Sequence, residues 1–301
     1  AETLLFRLLR GAGVRGLAAM PASRPLGQGS LLRPLLDSSR AELHEYALSH
    51  GIAWIEDPSN ADERFSRNFL RKQVIPLLAE RWPQVTANLA RSARHLGEAQ
   101  QLLDELAEMD LAAARGVSAC PWLPLQSLDL SALSALSDAR QRNLLRYWLA
   151  PLTRMPDSDH WAGWCDLRDA VVDATPIWRL ADGELHRADG RLWWLSGQWL
   201  RPLDPLDLSC DSFCASVELP GNGHVHLQGD LPQGRWHLRY RQGGESLPLP
   251  GRGRRDLKRL LNELRVPAFV RPRLPLLFDG DELMAVANLS PSSVIEAGGA
   301  R

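Results

Sequence analysis

The sequence predicts a multidomain protein of mixed class, an α/β part followed by an α+β part. Its 301 residues are too many for one small domain, and a composition of 45% hydrophobic and 24% charged residues is that of an ordinary globular protein. Apolar residues recur at helical spacing over residues 85–114, whereas they alternate with polar residues in the last part of the chain. We therefore expect three domains, at residues 1–84, 85–206 and 207–301.

Local signals place helices in the first two domains. Ser39 is the predicted N-cap of a helix that reaches about His50, because Glu42 completes a capping box three residues later. Prolines at 121 and 124 end the long helix of residues 85–114. Apolar spacing predicts further helices at residues 3–9, 63–78, 139–149 and 160–173.

Six strands are expected, three of them in the third domain. Apolar or alternating runs predict them at residues 31–36, 178–180, 191–195, 224–226, 236–240 and 282–287, the last of these being the final strand. One helix, from Arg254 to Leu264, is expected among them. The first domain is thus mostly helical, the second a helical linker with a mainly helical domain, and the third a small α+β domain.

The net charge of −1 hides an uneven distribution. Residues 96–234 contain ten basic and twenty acidic residues, whereas residues 235–273 contain eleven basic and three acidic ones. Residues 64–94 are basic as well. Two basic regions on either side of an acidic middle are typical of lobes that hold one long polyanion. A solvated basic surface is the alternative reading.

Several classes of protein are disfavoured. The four cysteines (Cys120, Cys165, Cys210 and Cys214) are sparse and irregularly spaced. We therefore expect them to be reduced thiols in a cytoplasmic protein. No run approaches the roughly 20 apolar residues of a membrane helix. Arg7 and Arg10 interrupt any signal-peptide pattern.

Two tempting features are assigned to structure. His224 and His226 lack a third ligand, so no metal site is expected there. Tryptophan side chains could stack on bases, but an aromatic core is the expected place for Trp161, Trp164, Trp193, Trp194 and Trp199.

The first pattern with chemical meaning is a helix followed by a glycine-rich loop. Glu2 begins it, and Arg7, Arg10 and Gly11 follow. Glycine lets a backbone approach a phosphate closely. An ordinary helix C-cap explains the same residues.

The second pattern joins a turn to a helix. The turn contains Asp57, Ser59 and Asn60, and the helix contains Arg67-Asn68-x-x-Arg71. Arg67 and Arg71 lie four residues apart, hence on one helix face, where two guanidinium groups can hold phosphate oxygens. A capped surface helix with ion-paired arginines is the alternative.

The third pattern is a Gly-Gly turn before a basic helix, Arg241-Gln-Gly-Gly-Glu245. A helix N-terminus together with arginines favours an anion. A solvated basic face is again the alternative. The candidate anion-binding residues of this region are Arg241, Arg252, Arg254, Arg255, Lys258, Arg259, Arg271 and Arg273.

These patterns stand in runs that resemble the tRNA(Ile)-lysidine synthetases, a family of N-type ATP pyrophosphatases. "ETLLFRLLRGAGVRGLAAM" and "LLRPLLDSSRAELHEYALSHGIAWIEDPSNADERFSRNFLRKQVIPLL" look like the second half of the family's catalytic domain. "DATPIWRLADGELHRADGRLWWL" and "RQGGE…LKRLLNELRVPAFVRPRLPLL" are similar to its later domains. The resemblance covers nearly the whole chain in the same order.

The resemblance implies a ligase. ATP, with Mg²⁺, adenylates the C2 oxygen of the wobble cytidine of tRNA(Ile), and the amine of free L-lysine then displaces AMP. The anticodon then reads AUA instead of AUG. Family members suggest a homodimer, and the first domain is the C-terminal remnant of an α/β ATP-pyrophosphatase domain.

The resemblance also implies residue roles. Catalytic roles go to Glu2, Arg10, Arg67 and Arg71, with Glu2 acting electrostatically and the arginines contacting phosphate or cytidine. Substrate-binding roles go to Arg7, Gly11, Asp57, Ser59, Asn60 and Asn68. tRNA-binding roles go to the eight basic residues of the third pattern.

One departure bears on activity. The family's Ser-Gly-Gly-x-Asp-Ser phosphate loop and the His-x-x-Asp-Asp before Glu2 do not occur in the sequence. The chain also starts at Ala1 within an amphipathic pattern. We therefore expect part of a larger protein, lacking the ATP-binding loop and inactive alone. Two rivals stay open: a related tRNA thiolase, which would need cysteine pairs for an iron–sulfur cluster, and a non-catalytic RNA-binding module.

Overall fold

A computed structural model describes residues 1–155, 158–171, 174–211, 216–227, 235–249, 253–289 and 295–298. The chain forms two compact units, Ala1–Leu106 and Ala107–Arg301. They are called unit 1 and unit 2 below. The domain limits at residues 84 and 206 stay predictions. No helix in the described part of the chain is long and apolar enough to cross a membrane.

Unit 1 is mainly helical, as the sequence predicts. Its short segments are joined by turns, and one hairpin interrupts them. The elements are α1 (Glu2–Leu8), α2 (Val14–Leu17), β1 (Ser23–Leu26), β2 (Gly29–Leu32), α3 (Arg40–Ser49), α4 (Ser66–Phe69), a π-helical turn (Leu70–Val74) and α5 (Ile75–Arg81). The long helix α6 (Val85–Arg115) follows and confirms the helix predicted at residues 85–114.

The capping box of α3 is present as predicted. The Ser39 hydroxyl accepts a hydrogen bond from the backbone N–H of Glu42 at 3.1 Å, and the Glu42 carboxylate accepts one from the backbone N–H of Ser39 at 2.6 Å. The helix ends at Ser49, with His50 as its C-cap, and Gly51 follows with φ of 62°. Helix α3 nevertheless buries none of its residues. Its local signals, not core packing, define its ends.

The first half of unit 2 is an antiparallel sheet with helices. Its elements are β3 (Ser127–Asp129), α7 (Leu130–Ser134), α8 (Asp138–Leu149), α9 (Ala162–Asp169), β4 (Ile177–Arg179), β5 (Glu184–Ala188) and β6 (Arg191–Leu195). The strand order is β3-β6-β5-β4. Strands β4 and β6 were predicted, but β3 and β5 were missed. Strand β5 buries only Leu185, so its sequence shows little apolar alternation.

The second half of unit 2 is rich in strands. They are β7 (Asp207–Asp211), β8 (Ser216–Leu219), β9 (Gly223–Leu227), β10 (Arg235–Tyr240), β11 (Ser246–Leu249), β12 (Gly253–Asp256), β13 (Pro275–Asp279), β14 (Glu282–Val286) and β15 (Ile295–Gly298), with one helix, α10 (Leu257–Glu263). They form sheets β14-β13-β10-β7 and β15-β9-β8 and the hairpin β11-β12.

Two predictions for this region are wrong. The helix begins at Leu257 and not at Arg254, because residues 253–256 pair with β11 and Asp256 caps the helix instead. Strand β14 is also not the final strand, since β15 follows it and pairs with β9.

Strand β6 separates two hydrophobic cores of unit 2. Leu192 and Trp194 belong to a core with α8 and α9, whereas Trp193 and Leu195 belong to a second core that includes α10 and β13. Because successive side chains of a strand point to opposite faces, one strand can serve both cores. The core role predicted for the tryptophans is confirmed for Trp164, Trp193 and Trp194, which are buried.

Gly183→Ala is expected to destabilise the protein by about 1–3 kcal/mol, as overpacking does. A Cβ at Gly183 would lie 2.4 Å from Cζ2 of Trp194 and 2.6 Å from the carbonyl oxygen of Leu195. Gly97→Ala in α6 is the matched control, because its Cβ meets no atom within 4 Å. It should stabilise by about 0.5–1 kcal/mol. Urea unfolding of both variants measures this, and equal midpoints would contradict it.

Candidate active site and nucleic-acid interface

Glu2 and Arg71, two predicted catalytic residues, form an ion pair in unit 1. Arg71 donates from Nε to Oε1 of Glu2 at 2.6 Å and from Nη2 to Oε2 at 2.8 Å. The hydrogen bonds from Arg71 hold the pKa of Glu2 below its ordinary value, against the opposing effect of partial burial. This two-point geometry is the strong form of an arginine–carboxylate pair. Arg71 is therefore engaged by Glu2 and is not a free phosphate ligand.

Arg10 and Arg67, the other two predicted catalytic residues, share one aromatic ring. The guanidinium carbon of Arg10 lies 5.2 Å from the centroid of the Phe6 ring, and that of Arg67 lies 5.8 Å from it. Both arginines are exposed. In the described part of the chain neither is paired with a carboxylate. Cation–π contact holds two like charges together beside the Glu2–Arg71 pair.

The two pairs follow from helix geometry. Glu2 and Phe6 lie four residues apart, and so do Arg67 and Arg71, so each pair occupies one helix face. Glu2 contacts Arg71 and Phe6 contacts Arg67. The two helix faces therefore pack against each other in an antiparallel arrangement. Sequence reasoning missed Phe6, although its spacing of four residues from both Glu2 and Arg10 is a visible signal.

Arg7 and Gly11 have structural positions here. Arg7 donates from Nη1 to the carbonyl oxygens of Gly16 and Ala19, both at 2.8 Å. These bonds close the loop after α1 and occupy Nη1 of Arg7. Gly11 has a φ of 72° and ends the helix. The ordinary helix C-cap, which was the alternative for this pattern, describes both residues.

Hydrogen bonds from Asn68 join the predicted turn to the helix that contains Arg-Asn-x-x-Arg. Nδ2 of Asn68 donates to the carbonyl oxygens of Ser59 at 2.9 Å and Asp62 at 2.8 Å, and Asn68 is buried. Asp57 accepts from the backbone N–H of Ser59 at 2.8 Å and caps the turn. Asp57 and Asn68 thus shape the loop and fix where α4 begins. Ser59 and Asn60 are exposed.

Removing the partner of Glu2 should change its titration. Because the pKa of Glu2 in the folded protein is below the ordinary 4.5, the ion pair stabilises the fold above that value, and the stabilisation is lost as pH falls through the folded pKa. Arg71→Gln is expected to raise the pKa of Glu2, measured by carboxyl-carbon NMR. Glu42 is the control, since its pKa is lowered by the backbone of Ser39. An unmoved Glu2 titration would contradict the pairing.

A basic surface lies on β12 and α10 of unit 2. Arg254 and Arg255 on β12 and Lys258 and Arg259 on α10 are exposed. Carboxylates pair with the two strand residues: Arg254 with Glu282, and Arg255 with Glu263 at 4.0 Å. Arg252 lies outside the described residues.

The predicted helix-end anion site is corrected. Asp256 places its own carboxylate at the N-terminus of α10, where Oδ1 accepts from the backbone N–H of Arg259 at 2.9 Å. The backbone N–H groups at the start of this seven-residue helix are therefore not offered to an anion, and only its basic side chains can attract one.

Arg273 is a structural residue. It is 8% exposed and donates from Nη2 to the carbonyl oxygens of Gln198, at 2.8 Å, and Arg201. Its guanidinium carbon lies 5.1 Å from the Trp199 ring centroid. Because its charge is buried and its Nη2 is engaged by two carbonyl oxygens, Arg273 is not retained among the proposed tRNA contacts.

Arg241 lies directly after β10, and Arg271 lies between α10 and β13. Arg241 lies 3.4 Å, Nε to Oε2, from Glu245, and Arg271 donates from Nε to the carbonyl oxygen of Val266 at 2.8 Å. Both are partly buried.

The described residues contain no group of three or more His, Cys, Asp or Glu side chains arranged to hold a metal ion. The carboxylate of Glu2 lies beside the group of Arg10 and Arg67, and Arg71 already neutralises it.

Three family models match the chain. A PP-loop domain matches residues 1–78, a TilS substrate binding domain matches residues 128–193, and a TilS substrate C-terminal domain matches residues 236–299. The expectation that the chain lacks the ATP-binding part is not borne out, because the PP-loop domain model covers the region where the candidate active site lies.

Curated relatives agree with these models. The chain is 65% identical to a tRNA(Ile)-lysidine synthase of Pseudomonas fluorescens (strain Pf0-1), over 96% of this chain and 65% of that protein. It is 61% identical to one of Pseudomonas putida, over 96% and 67%, and 38% identical to one of Escherichia coli O157:H7, over 95% and 66%. The chain thus spans about two thirds of the length of these relatives. On these matches and the fold, the chain belongs to the tRNA(Ile)-lysidine synthase family.

Proposed function

We propose that the protein containing this chain joins lysine to C2 of the wobble cytidine of tRNA(Ile) with a CAU anticodon, through an adenylated intermediate. The observation that carries the proposal is the group of Arg10, Phe6 and Arg67 beside the Glu2–Arg71 pair, within the region that the PP-loop domain matches. The relatives are named for this activity. The modified anticodon reads AUA instead of AUG.

The chemistry asks mainly for charge neutralisation. Negative charge accumulates on phosphate oxygens as ATP activates the cytidine oxygen and as lysine displaces AMP. Two exposed guanidinium groups held on one ring suit these oxygens, because arginine binds phosphate at two points and does not lose its charge. Glu2 orients Arg71, so this pair contributes a fixed local dipole at the edge of the site.

ATP and Mg²⁺ fit the residues present to different degrees. Arg10 and Arg67 fit the phosphates of ATP. Mg²⁺ commonly takes substrate phosphate and water with few protein carboxylates, which agrees with a site whose nearby carboxylate is Glu2. We propose both as partners of the full protein, together with tRNA(Ile), free L-lysine and a second copy in a homodimer, in the cytoplasm.

The tRNA contacts are assigned to separate regions. Residues 1–84 act on the anticodon, and residues 85–206 and 207–301 hold the rest of the tRNA. In unit 2 the proposed contacts are Arg241, Arg254, Arg255, Lys258, Arg259 and Arg271. Exposed lysine and arginine on β12 and α10 support this, since phosphate contacts dominate the affinity of proteins for RNA.

Incorporation of radiolabelled lysine tests the proposal. The full-length protein is incubated with ATP, Mg²⁺ and a tRNA(Ile) transcript that has the CAU anticodon, and with a transcript that has uridine at the wobble position. Label should enter the first transcript only, and only with ATP. Label in both transcripts, or none in either, would overturn the proposal. That residues 1–301 alone form no lysidine stays a prediction, which the same assay tests.

A further inference from the structure

The turn between β10 and β11 is closed by one side chain, that of Glu245. Its Oε1 accepts hydrogen bonds from the backbone N–H groups of Gln242 at 2.5 Å and Gly243 at 2.6 Å. Gly243 and Gly244 have φ of 107° and 84°, in the left-handed region that favours glycine. The turn is therefore a fixed structure that needs both its glycines and its carboxylate.

The same residue anchors the basic helix. The backbone carbonyl oxygen of Glu245 accepts the N–H of Leu257, the first residue of α10, at 2.9 Å. Glu245 thus joins the turn to the part of unit 2 that carries Lys258 and Arg259. A residue in this place can act on RNA binding without contacting RNA.

The second oxygen of Glu245 is directed to Arg241. The side chain of Glu245 is 9% exposed, and Oε2 lies 3.4 Å from Nε of Arg241. Both atoms are buried, and neither makes a hydrogen bond within the described part of the chain. Burying charged groups is costly unless they are compensated. The other hydrogen bonds of Glu245 are satisfied within the turn. The close approach of Glu245 to Arg241 therefore indicates that the carboxylate serves to position the Arg241 side chain.

The guanidinium of Arg241 still reaches solvent. The Arg241 side chain is 21% exposed, although its Nε faces the buried carboxylate of Glu245. A guanidinium held at one edge and exposed elsewhere suits a phosphate, because its charge is permanent and its donors lie in one plane.

We propose that Glu245 is a positioning residue that holds the guanidinium of Arg241, and that this guanidinium binds one phosphate of the RNA backbone. The inference rests on the proposed function, which supplies the RNA. The inference gives a role to Glu245, for which the sequence predicts none. Because Glu245 is acidic, its own charge would not favour RNA binding.

Binding of tRNA(Ile) by Glu245→Gln tests the inference. The Gln side chain keeps the size but weakens the hold on Arg241. Affinity for the transcript should fall roughly tenfold, and the slope of log affinity against log salt should decrease by about one, as expected for one lost phosphate contact. The double variant with Arg241→Gln should bind no more weakly than Arg241→Gln alone, because both changes remove one contact. Glu218→Gln, an exposed carboxylate on β8, is the matched control and should leave the slope unchanged.

The salt slope separates positioning from folding. If Glu245 only supports the fold, Glu245→Gln lowers affinity with an unchanged slope and adds to Arg241→Gln, and this result would overturn the inference. Normal tRNA binding by Glu245→Gln overturns the inference alone. Absence of tRNA binding by the unsubstituted full-length protein overturns both the inference and the proposed function.

Discussion

Arg67→Ala is expected to lower the rate of lysidine formation by the full-length protein by about 10²–10³-fold, the usual effect of losing one donor to a developing negative charge. Arg67 is exposed, stacks on Phe6 and has no carboxylate partner in the described residues, so its charge is available to phosphate. Steady-state rates at saturating ATP, lysine and tRNA measure the effect. Stability should change little, since the side chain is at the surface.

Arg64→Ala is the matched control for this variant. Arg64 lies three residues earlier, is 90% exposed and pairs with Asp62 at 2.7 Å. Arg64→Ala removes the same charge from the same region but leaves the two arginines on the Phe6 ring in place. The rate should therefore stay unchanged. Equal losses in the two variants would mean that general charge, and not the position on Phe6, matters. An unchanged rate in Arg67→Ala would remove Arg67 from the site.

Arg273→Ala is expected to destabilise the protein by about 2–4 kcal/mol. The change removes two part-buried hydrogen bonds from a charged donor, to the carbonyl oxygens of Gln198 and Arg201, and hydrogen bonds of this kind contribute about 1.5–3 kcal/mol each. Loss of the contact with Trp199 adds to this. Part of the cost is offset because a buried positive charge is also removed.

Urea unfolding measures the effect, with Arg259→Ala as the control. Arg259 is exposed on α10, and its replacement should change stability by less than about 0.5 kcal/mol. The folded fraction of Arg273→Ala should bind tRNA with an unchanged salt slope. An unchanged midpoint together with a smaller salt slope would contradict the structural role and restore Arg273 as a tRNA contact.

Elements with local signals were predictable from the sequence. The capping box of Ser39 and Glu42 defines α3 even though the helix buries no residue, because the signal lies within four residues. The start of α10 was misplaced because Arg254 and Arg255 suit a helix by propensity, while pairing with β11 places them in a strand. Strand β5 was missed because its partners on both sides, and not its own alternation, define it.

The candidate site was predictable only in part. The shared face of Arg67 and Arg71 follows from their spacing, and the structure brings both to α1. That Glu2 neutralises Arg71 depends on a contact across 69 residues, which no local pattern contains. The amide of Asn68 serves two carbonyls of the preceding loop, so a residue that resembles a ligand in the motif holds the motif together.

The identity of the nucleoside at the wobble position after reaction tests the central claim most directly. Unmodified tRNA(Ile) with a CAU anticodon is treated with the full-length protein, ATP, Mg²⁺ and lysine, digested, and analysed by mass spectrometry. The account predicts lysidine in place of cytidine, and none when ATP is omitted. A thiolated base would identify the related thiolase chemistry instead. Unchanged cytidine on a tRNA that the protein nevertheless binds would leave a non-catalytic RNA-binding protein, and either result would contradict the account.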